Sequence, residues 1–169
     1  MRVGLALRRL LLAASSGLAI LAAAACGGGG TGGAPGAGAT IGDLTVRDLR
    51  APAPAGDTMA VYFTVANSGE VDDALVGLAS DVAVLAMLHR TVMEDGTARM
   101  AMVDAIPVPA GGEAVLEPGG LHVMLAGLRR EPREGETVLV TLTFQRAGTV
   151  TVEVPVVSYR EVADGDSGP

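Results

Sequence analysis

Short β-rich runs separated by turn residues constrain the fold of this chain more than any other feature. Thr58–Asn67 reads TMAVYFTVAN and stops at a Ser-Gly pair, and two later runs, 136–145 and 149–157, flank a short turn that contains Gly. Runs rich in Val, Thr and aromatic residues between Gly and Ser are typical of strands and hairpins. Outside the first 25 residues no window keeps a helical period over three turns. The pattern predicts an all-β fold, a two-sheet antiparallel sandwich of about 110–120 residues.

A central hairpin is the best-defined part of this prediction. The run 82–93 ends at Glu94-Asp95-Gly96, and a second run, 98–103, follows. Asp-Gly between two apolar runs is a strong signal for a two-residue hairpin turn. Two further short strands are expected at 113–117 and 121–125, each bounded by Gly pairs or Pro.

The first 40 residues have the composition of an export signal followed by a tether. Arg2, Arg8 and Arg9 come before or at the start of an apolar run, 10–25, that is too short to predict a membrane span. The run ends in small residues before Cys26, as in a bacterial lipobox, so Cys26 is predicted to be the lipid-modified first residue of the mature protein. The chain is therefore divided into a lipoprotein signal peptide (1–25), a Gly-rich flexible tether (26–40), a folded domain (41–160) and a short acidic disordered tail (161–169).

The net charge of the chain narrows the classes of partner. The chain has a net charge of −7, and loss of the three arginines that precede Cys26 leaves the mature protein at −10. Such acidity argues against nucleic acid as a partner and against binding to anionic lipid by charge, which leaves the acyl group as the anchor. We expect an exported protein, lipid-anchored at the outer face of the cytoplasmic membrane or in the periplasm. The Arg8-Arg9 pair leaves the export route, Sec or twin-arginine, open.

Both histidines of the chain and five of its seven methionines lie within 87–124. Ten residues separate His89 from Met100, 21 separate Met100 from His122, and one separates His122 from Met124. Thioether sulfur is soft and uncharged, so together with imidazole it suits Cu(I) and discriminates against Zn(II), Mg(II) and Ca(II). The sequence therefore predicts a site for one Cu(I) per chain, with these four residues as its ligands.

The strand pattern places these residues on one face. Residues of equal parity share a face of a strand, so His89 lies with Met93, and His122 lies with Met124 while its neighbours in sequence point to the core. Across the hairpin, a two-residue loop sets His89 opposite Met102, and a slipped register sets it opposite Met100. Met93 and Met102 are accordingly possible auxiliary ligands. Met59 and Met87 are interpreted as packing residues.

Other kinds of site are disfavoured. A blue-copper electron carrier needs a Cys thiolate beside its histidines, and Cys26, the one cysteine, lies far from them in sequence. No Ser/His/Asp arrangement or paired carboxylates accompany either histidine, so the protein is not expected to be an enzyme. The remaining alternative is a lipid-anchored sandwich that binds a partner through its loops.

The spacing His-x10-Met-x21-His-x-Met resembles the signature of the PCuAC family of bacterial periplasmic copper(I) chaperones. Four blocks are similar to that family in order: MAVYFTVANSG, LHRTVMEDGTARM, PVPAGG and PGGLHVMLAGL. The resemblance covers about 41–157. It implies a cupredoxin-like sandwich that holds one Cu(I) near its surface through His89, Met100, His122 and Met124.

The resemblance also implies a function and a partner. The family delivers Cu(I) to copper sites of respiratory oxidases, notably the binuclear centre of cytochrome c oxidase, so a copper-accepting protein such as an oxidase subunit is the expected partner. The tail 161–169, EVADGDSGP, lacks the His and Met that bind Cu(II) in some members, so a second site is not expected. A copper scavenger with no oxidase role remains the alternative within this class.

Overall fold

The computed structural model of the chain describes Gly36 and residues 38–163, all of which belong to the unit Gly32–Pro169. Cys26 and residues 164–169 lie outside the described part. Within it the chain forms eleven strands and one short helix. In chain order these are β1 (Ala39–Ile41), β2 (Leu44–Pro52), β3 (Thr58–Asn67), β4 (Asp73–Ser80), β5 (Ala83–Glu94), β6 (Thr97–Met102), β7 (Ile106–Val108), β8 (Glu113–Leu116), β9 (Leu121–Leu128), β10 (Thr137–Phe144), β11 (Gly148–Val157) and α1 (Tyr159–Ala163).

The strands form the two layers of a cupredoxin-like sandwich. One layer has the order β6-β5-β9-β3-β2-β1, with β8 beside the second half of β3, and the other has the order β11-β10-β4-β7. Nearly all pairings are antiparallel. A short parallel pairing of β11 with β2, at Val156 and Ala51, connects the two layers. A second parallel pairing links β8 to β9.

One hydrophobic core fills the space between the layers. Aliphatic residues supply most of it, as expected for a chain with only two Phe, two Tyr and no Trp. In β9, Val123 and Leu125 are fully buried in this core, whereas His122 and Met124 alternate with them on the outer face. As predicted, the core residues and the His and Met residues of β9 thus lie on opposite faces of one layer. We call the outer face, which carries His89, His122 and Met124, the His/Met face.

The predicted all-β sandwich is confirmed, and the predicted strands all exist. Thr58–Asn67 has the predicted bounds, and the other predicted strands agree to within a few residues. Four strands were not predicted: β1, β2, β4 and β7. The first of these begins at Ala39, two residues before the predicted domain at 41–160.

The domain also continues past its predicted end, because a capping box starts α1. The Ser158 hydroxyl accepts a hydrogen bond from the Glu161 N–H at 3.3 Å, and the Glu161 carboxylate accepts one from the Ser158 N–H at 2.9 Å. This Ser-x-x-Glu signal was present in the sequence. Val162 is buried, so residues 161–163 of the predicted tail form part of the fold. Among the described residues there is no helix with the length and hydropathy to cross a bilayer.

Candidate metal site

The hairpin between β5 and β6 sets the positions of two methionines relative to His89. Its two loop residues, Asp95 and Gly96, have φ values of 50° and 76°, as a type I′ turn requires at both central positions. The resulting register pairs His89 with Met102 and Thr91 with Met100. Of the two registers that the sequence allowed, the structure therefore has the one that places Met102 directly opposite His89.

On its other side β5 pairs with β9, which brings in the second histidine. His89 lies opposite His122, and Met87 lies opposite Met124. A single row of side chains, Met102, His89 and His122, thus crosses three adjacent strands on the outer face of the layer. Met100 and Met124 lie diagonally from His89, because each is two residues along its strand from the residue directly opposite His89. The register thus places the other three predicted ligands, Met100, His122 and Met124, opposite or diagonal to His89.

His122 is held in one tautomer with a free nitrogen. Although it lies on the outer face, it is only 3% exposed. Its Nδ1 lies 3.2 Å from the carbonyl oxygen of Gly120, which can only accept a hydrogen bond, so Nδ1 carries the proton in the neutral ring. Nε2 is then a lone-pair acceptor, and among the described residues this buried atom has no hydrogen-bond partner.

His89 provides a second buried nitrogen without a partner. Its Nδ1 is buried and finds no donor or acceptor within the described part of the chain. The ring of His89 meets that of His122 edge-on, with centroids 5.7 Å apart and planes at 89°. Burial, and then the charge of His122, lower the pKa of His89 below its usual value, so its ring favours the neutral form that binds metals.

The methionines differ in exposure. Met100 and Met102 are 62% and 68% exposed, Met93 near the hairpin tip is 68% exposed, and Met124 is partly buried. Met59 is in the core, as the packing interpretation requires, whereas Met87 lies partly buried on the His/Met face. The site therefore combines recessed imidazoles with thioethers at the surface.

This donor set fits a soft monovalent cation. Two unpaired imidazole nitrogens in a half-buried setting would each cost about 1–3 kcal/mol if nothing bound them. Imidazole and thioether are both neutral, which suits Cu(I) and leaves hard divalent cations without the oxygen ligands that they prefer. No group of three or more His, Cys, Asp or Glu side chains that could hold a metal occurs among the described residues.

Sequence reasoning overlooked Tyr62, which borders the site. Its ring centroid lies 6.4 Å from that of His122, within the range of aromatic contacts. The contact arises because β3 pairs with β9, so that Ala60 lies opposite Met124 and Tyr62 comes beside His122. Parity within β3 puts Tyr62 on one face, but nothing local in the sequence shows that β9 is the neighbouring strand.

The chain is similar in sequence to known lipoproteins. Residues 44–156 match the model of a family described as "Putative lipoprotein LpqE-like". A protein named "Putative lipoprotein Lxx21020", from Leifsonia xyli subsp. xyli (strain CTCB07), is 36% identical over 101 residues. That match takes in 59% of this chain and 61% of the relative, so the chain spans about three fifths of the relative's length.

The similar solved structures include copper-bound domains. A structure titled "Copper-bound PCuAC domain from PmoF2" has a TM-score of 0.63 at 25% identity and covers 72% of this chain and 98% of its own. The solution structure of CuI-DR1885 from Deinococcus radiodurans has a TM-score of 0.56 at 33% identity and covers 72% and 81%. The resemblance to PCuAC domains is confirmed. The chain belongs to the LpqE-like lipoprotein family, and its folded domain is of the PCuAC type.

Proposed function

We propose that this protein is an extracytoplasmic copper(I) chaperone that binds one Cu(I) per chain and delivers it to the copper centre of a respiratory oxidase. The ligands would be His89, His122, Met100 and Met124. The observation that carries this proposal is a pair of buried imidazole nitrogens that have no partner among the described residues, with methionines at neighbouring register positions on the same face of the sheet.

The environment of the histidines prepares them for a metal. The carbonyl of Gly120 fixes the tautomer of His122, as backbone carbonyls do for the second nitrogen of many metal-binding histidines. Burial favours the neutral form of His89. In its neutral form, each ring can therefore offer a lone pair to the metal.

The solved relatives support the choice of copper. Two of them are copper forms, a copper-bound PCuAC domain from PmoF2 and CuI-DR1885. Their domains share this fold, and this chain has soft donors at neighbouring register positions on the same sheet. We infer that the domain binds the same metal, as cargo and not as a catalytic cofactor.

The exposure of the thioethers favours delivery over storage. Met100 is mostly exposed beside recessed histidines, so an acceptor could reach the metal from that side. Thioethers hold Cu(I) but yield to thiolates, which are softer and charged. A lipid anchor at Cys26 with a Gly-rich tether would confine the domain near membrane-bound oxidases and raise its effective concentration there.

The central test is a competition titration of the domain against a chromogenic Cu(I) chelator. We expect one Cu(I) per chain and weaker binding of Zn(II). In the His89→Ala/His122→Ala double variant we expect the affinity for Cu(I) to fall by at least about tenfold, since loss of even 1.4 kcal/mol has that effect.

The matched control is Met59→Leu, because Met59 is a methionine in the core and lies on the opposite face of its strand from the site. This variant should keep the affinity of the unmodified domain. Equal Cu(I) affinities for the unmodified domain and the double histidine variant would rule out the site. Absence of Cu(I) binding by the unmodified domain would instead favour the alternative of a lipid-anchored binding module without a metal.

A further inference from the structure

We propose that Met102 is a ligand of the cargo Cu(I) and shares one thioether position with Met100, so that the ion can pass between the two sulfurs. This inference rests on the proposed function, because it concerns the same Cu(I) site. It goes beyond the sequence prediction, in which Met100 holds the position and Met102 is auxiliary.

The hydrogen-bond pattern of the hairpin places Met102 closest to His89. The Val103 N–H donates to the carbonyl of Leu88 at 2.9 Å, so Leu88 and Val103 occupy a hydrogen-bonded position of the ladder. The next pair along, His89 and Met102, is therefore a non-hydrogen-bonded pair. Side chains in such pairs are the closest across an antiparallel ladder, with Cα atoms about 4.5 Å apart.

Met100 reaches the same point from a diagonal position. It lies opposite Thr91, and diagonal neighbours across a ladder are about 7–8 Å apart, within reach of a long side chain. Met100 and Met102 share a face of β6 because they are two residues apart. Met102 is nearer to His89 by register, and Met100 is nearer to the tip of the hairpin.

Neither methionine is fixed by packing. Their exposed fractions, 62% and 68%, are nearly equal, and all six residues of β6 are exposed. Within the described residues β6 pairs only with β5, so no second strand restrains it. Unbranched thioether side chains with three rotatable bonds can then both swing toward the unpaired nitrogen of His89.

This arrangement gives the ion a way to change partners without leaving the site. One Cu–S bond would form as the other breaks, with the histidines bound throughout. The copper remains Cu(I), and no proton moves because both thioethers are neutral. An incoming thiolate could then take the position of whichever sulfur is released, which is the first step of transfer to an acceptor.

A double-mutant cycle with Met100→Leu and Met102→Leu tests the proposal. If the two sulfurs share one position, either single variant retains a thioether, and its Cu(I) affinity should fall by only about twofold. The double variant retains neither, so its affinity should fall by at least about tenfold, well beyond the product of the single effects. Competition with a chromogenic Cu(I) chelator measures all four proteins.

Met59→Leu is the control, because Met59 is a methionine in the core, on the opposite face of its strand from the site. It should leave the affinity unchanged. Additive single effects, or a double variant no weaker than Met100→Leu alone, would overturn the shared position. The His89→Ala/His122→Ala double variant distinguishes this result from failure of the proposed function. If the Cu(I) site is correct, that variant loses affinity for Cu(I) whether or not Met102 is a ligand.

Discussion

At the scale of single residues, the domain has two kinds of buried polar group. Asp73, which is 8% exposed, represents the paired kind. Its carboxylate accepts hydrogen bonds from the backbone N–H groups of Ala74, Arg146 and Ala147 at 2.7–2.9 Å. His89 and His122 each keep a buried nitrogen without a partner in the described structure. Buried polar groups are nearly always paired, so the two unpaired imidazole nitrogens support the proposal that a ligand binds between these histidines.

Replacement of Asp73 by Asn should destabilise the fold. Burial alone would raise the pKa of Asp73, but the three backbone hydrogen bonds outweigh burial and lower the pKa below its usual value. The charged form is therefore favoured in the folded state, where it ties the start of β4 to the turn after β10. We expect Asp73→Asn to lower the free energy of unfolding at pH 7 by about 1–3 kcal/mol, measured by urea denaturation.

The pH dependence of this loss has a definite sign. Because the pKa is lowered on folding, the contribution of Asp73 is complete above the unfolded value of about 3.9 and disappears as the pH falls through the folded value. The difference between the two proteins should thus be constant near neutrality and shrink below about pH 4. The exposed Asp104 provides the control, and a loss as large in Asp104→Asn would contradict the assignment.

At the scale of secondary-structure elements, local signals predicted the hairpin but not its neighbours. The Asp-Gly pair fixed the turn after β5 and the parity of the ligands, and the Ser-x-x-Glu pattern of α1 could have been recognised. The segment of β4, DALVGLAS, has a central Gly and little alternation, and β2 is interrupted by Asp48 at a φ of 58°. Their strand character comes from pairing with distant strands, which no local pattern contains.

The same limit applies to the site. Donor chemistry and parity predict His89, Met100, His122 and Met124 as the ligands. Which strands lie side by side is decided by contacts between residues far apart in the chain, so the pairing of β9 with β5 and β3 could not be derived locally. That pairing sets His122 beside His89 and Tyr62, and hence the geometry of the site.

Gly96→Ala should weaken Cu(I) binding through the hairpin. Gly96 has a φ of 76°, and a methyl group there would meet no atom within 4 Å, so the cost is conformational and not steric crowding. A left-handed conformation costs a residue other than Gly about 1–2 kcal/mol. The turn should loosen, β6 should hold its methionines less well, and the Cu(I) affinity should fall by up to about fivefold in the chelator titration, the equivalent of about 1 kcal/mol.

Gly42→Ala is a matched control for that variant. Gly42 has a φ of 56° in the loop that joins Ile41 to Leu44, and it too has open space around it. Its hairpin, β1–β2, lies on the opposite edge of the layer from β6. The two variants should lose similar stability, but Gly42→Ala should keep its Cu(I) affinity. Equal losses of affinity would mean that the effect comes from general destabilisation.

At the scale of the whole molecule, the family and the sequence agree on a lipoprotein. The family description and the name of the Leifsonia relative both contain that word. In this chain the prediction depends on Cys26, which lies outside the described structure. Without the three arginines that precede Cys26 the chain would carry a net charge of −10, which disfavours attraction to anionic lipid as a substitute for an acyl group.

Processing at Cys26 can be measured directly. The intact mass of membrane-extracted protein should show the loss of residues 1–25 and the gain of a lipid group on the new N-terminus. Cys26→Ala should block processing or release the domain from the membrane, with the Cu(I) affinity of the folded part unchanged. Cleavage at another bond that leaves Cys26 unmodified would disprove lipidation at this residue.

Delivery of copper is tested in the cell that makes the protein. In a deletion strain without a redundant chaperone, grown at limiting copper, we expect the activity and copper content of the respiratory oxidase to fall, because the proposed supply of metal by this domain would be lost. Added copper should restore both. The full-length protein should also restore them, but a His122→Ala protein should not, and Met59→Leu should behave as the unmodified protein does. If oxidase activity and copper loading stay unchanged in the deletion strain, while the purified domain still binds Cu(I), the site serves copper scavenging and not oxidase assembly.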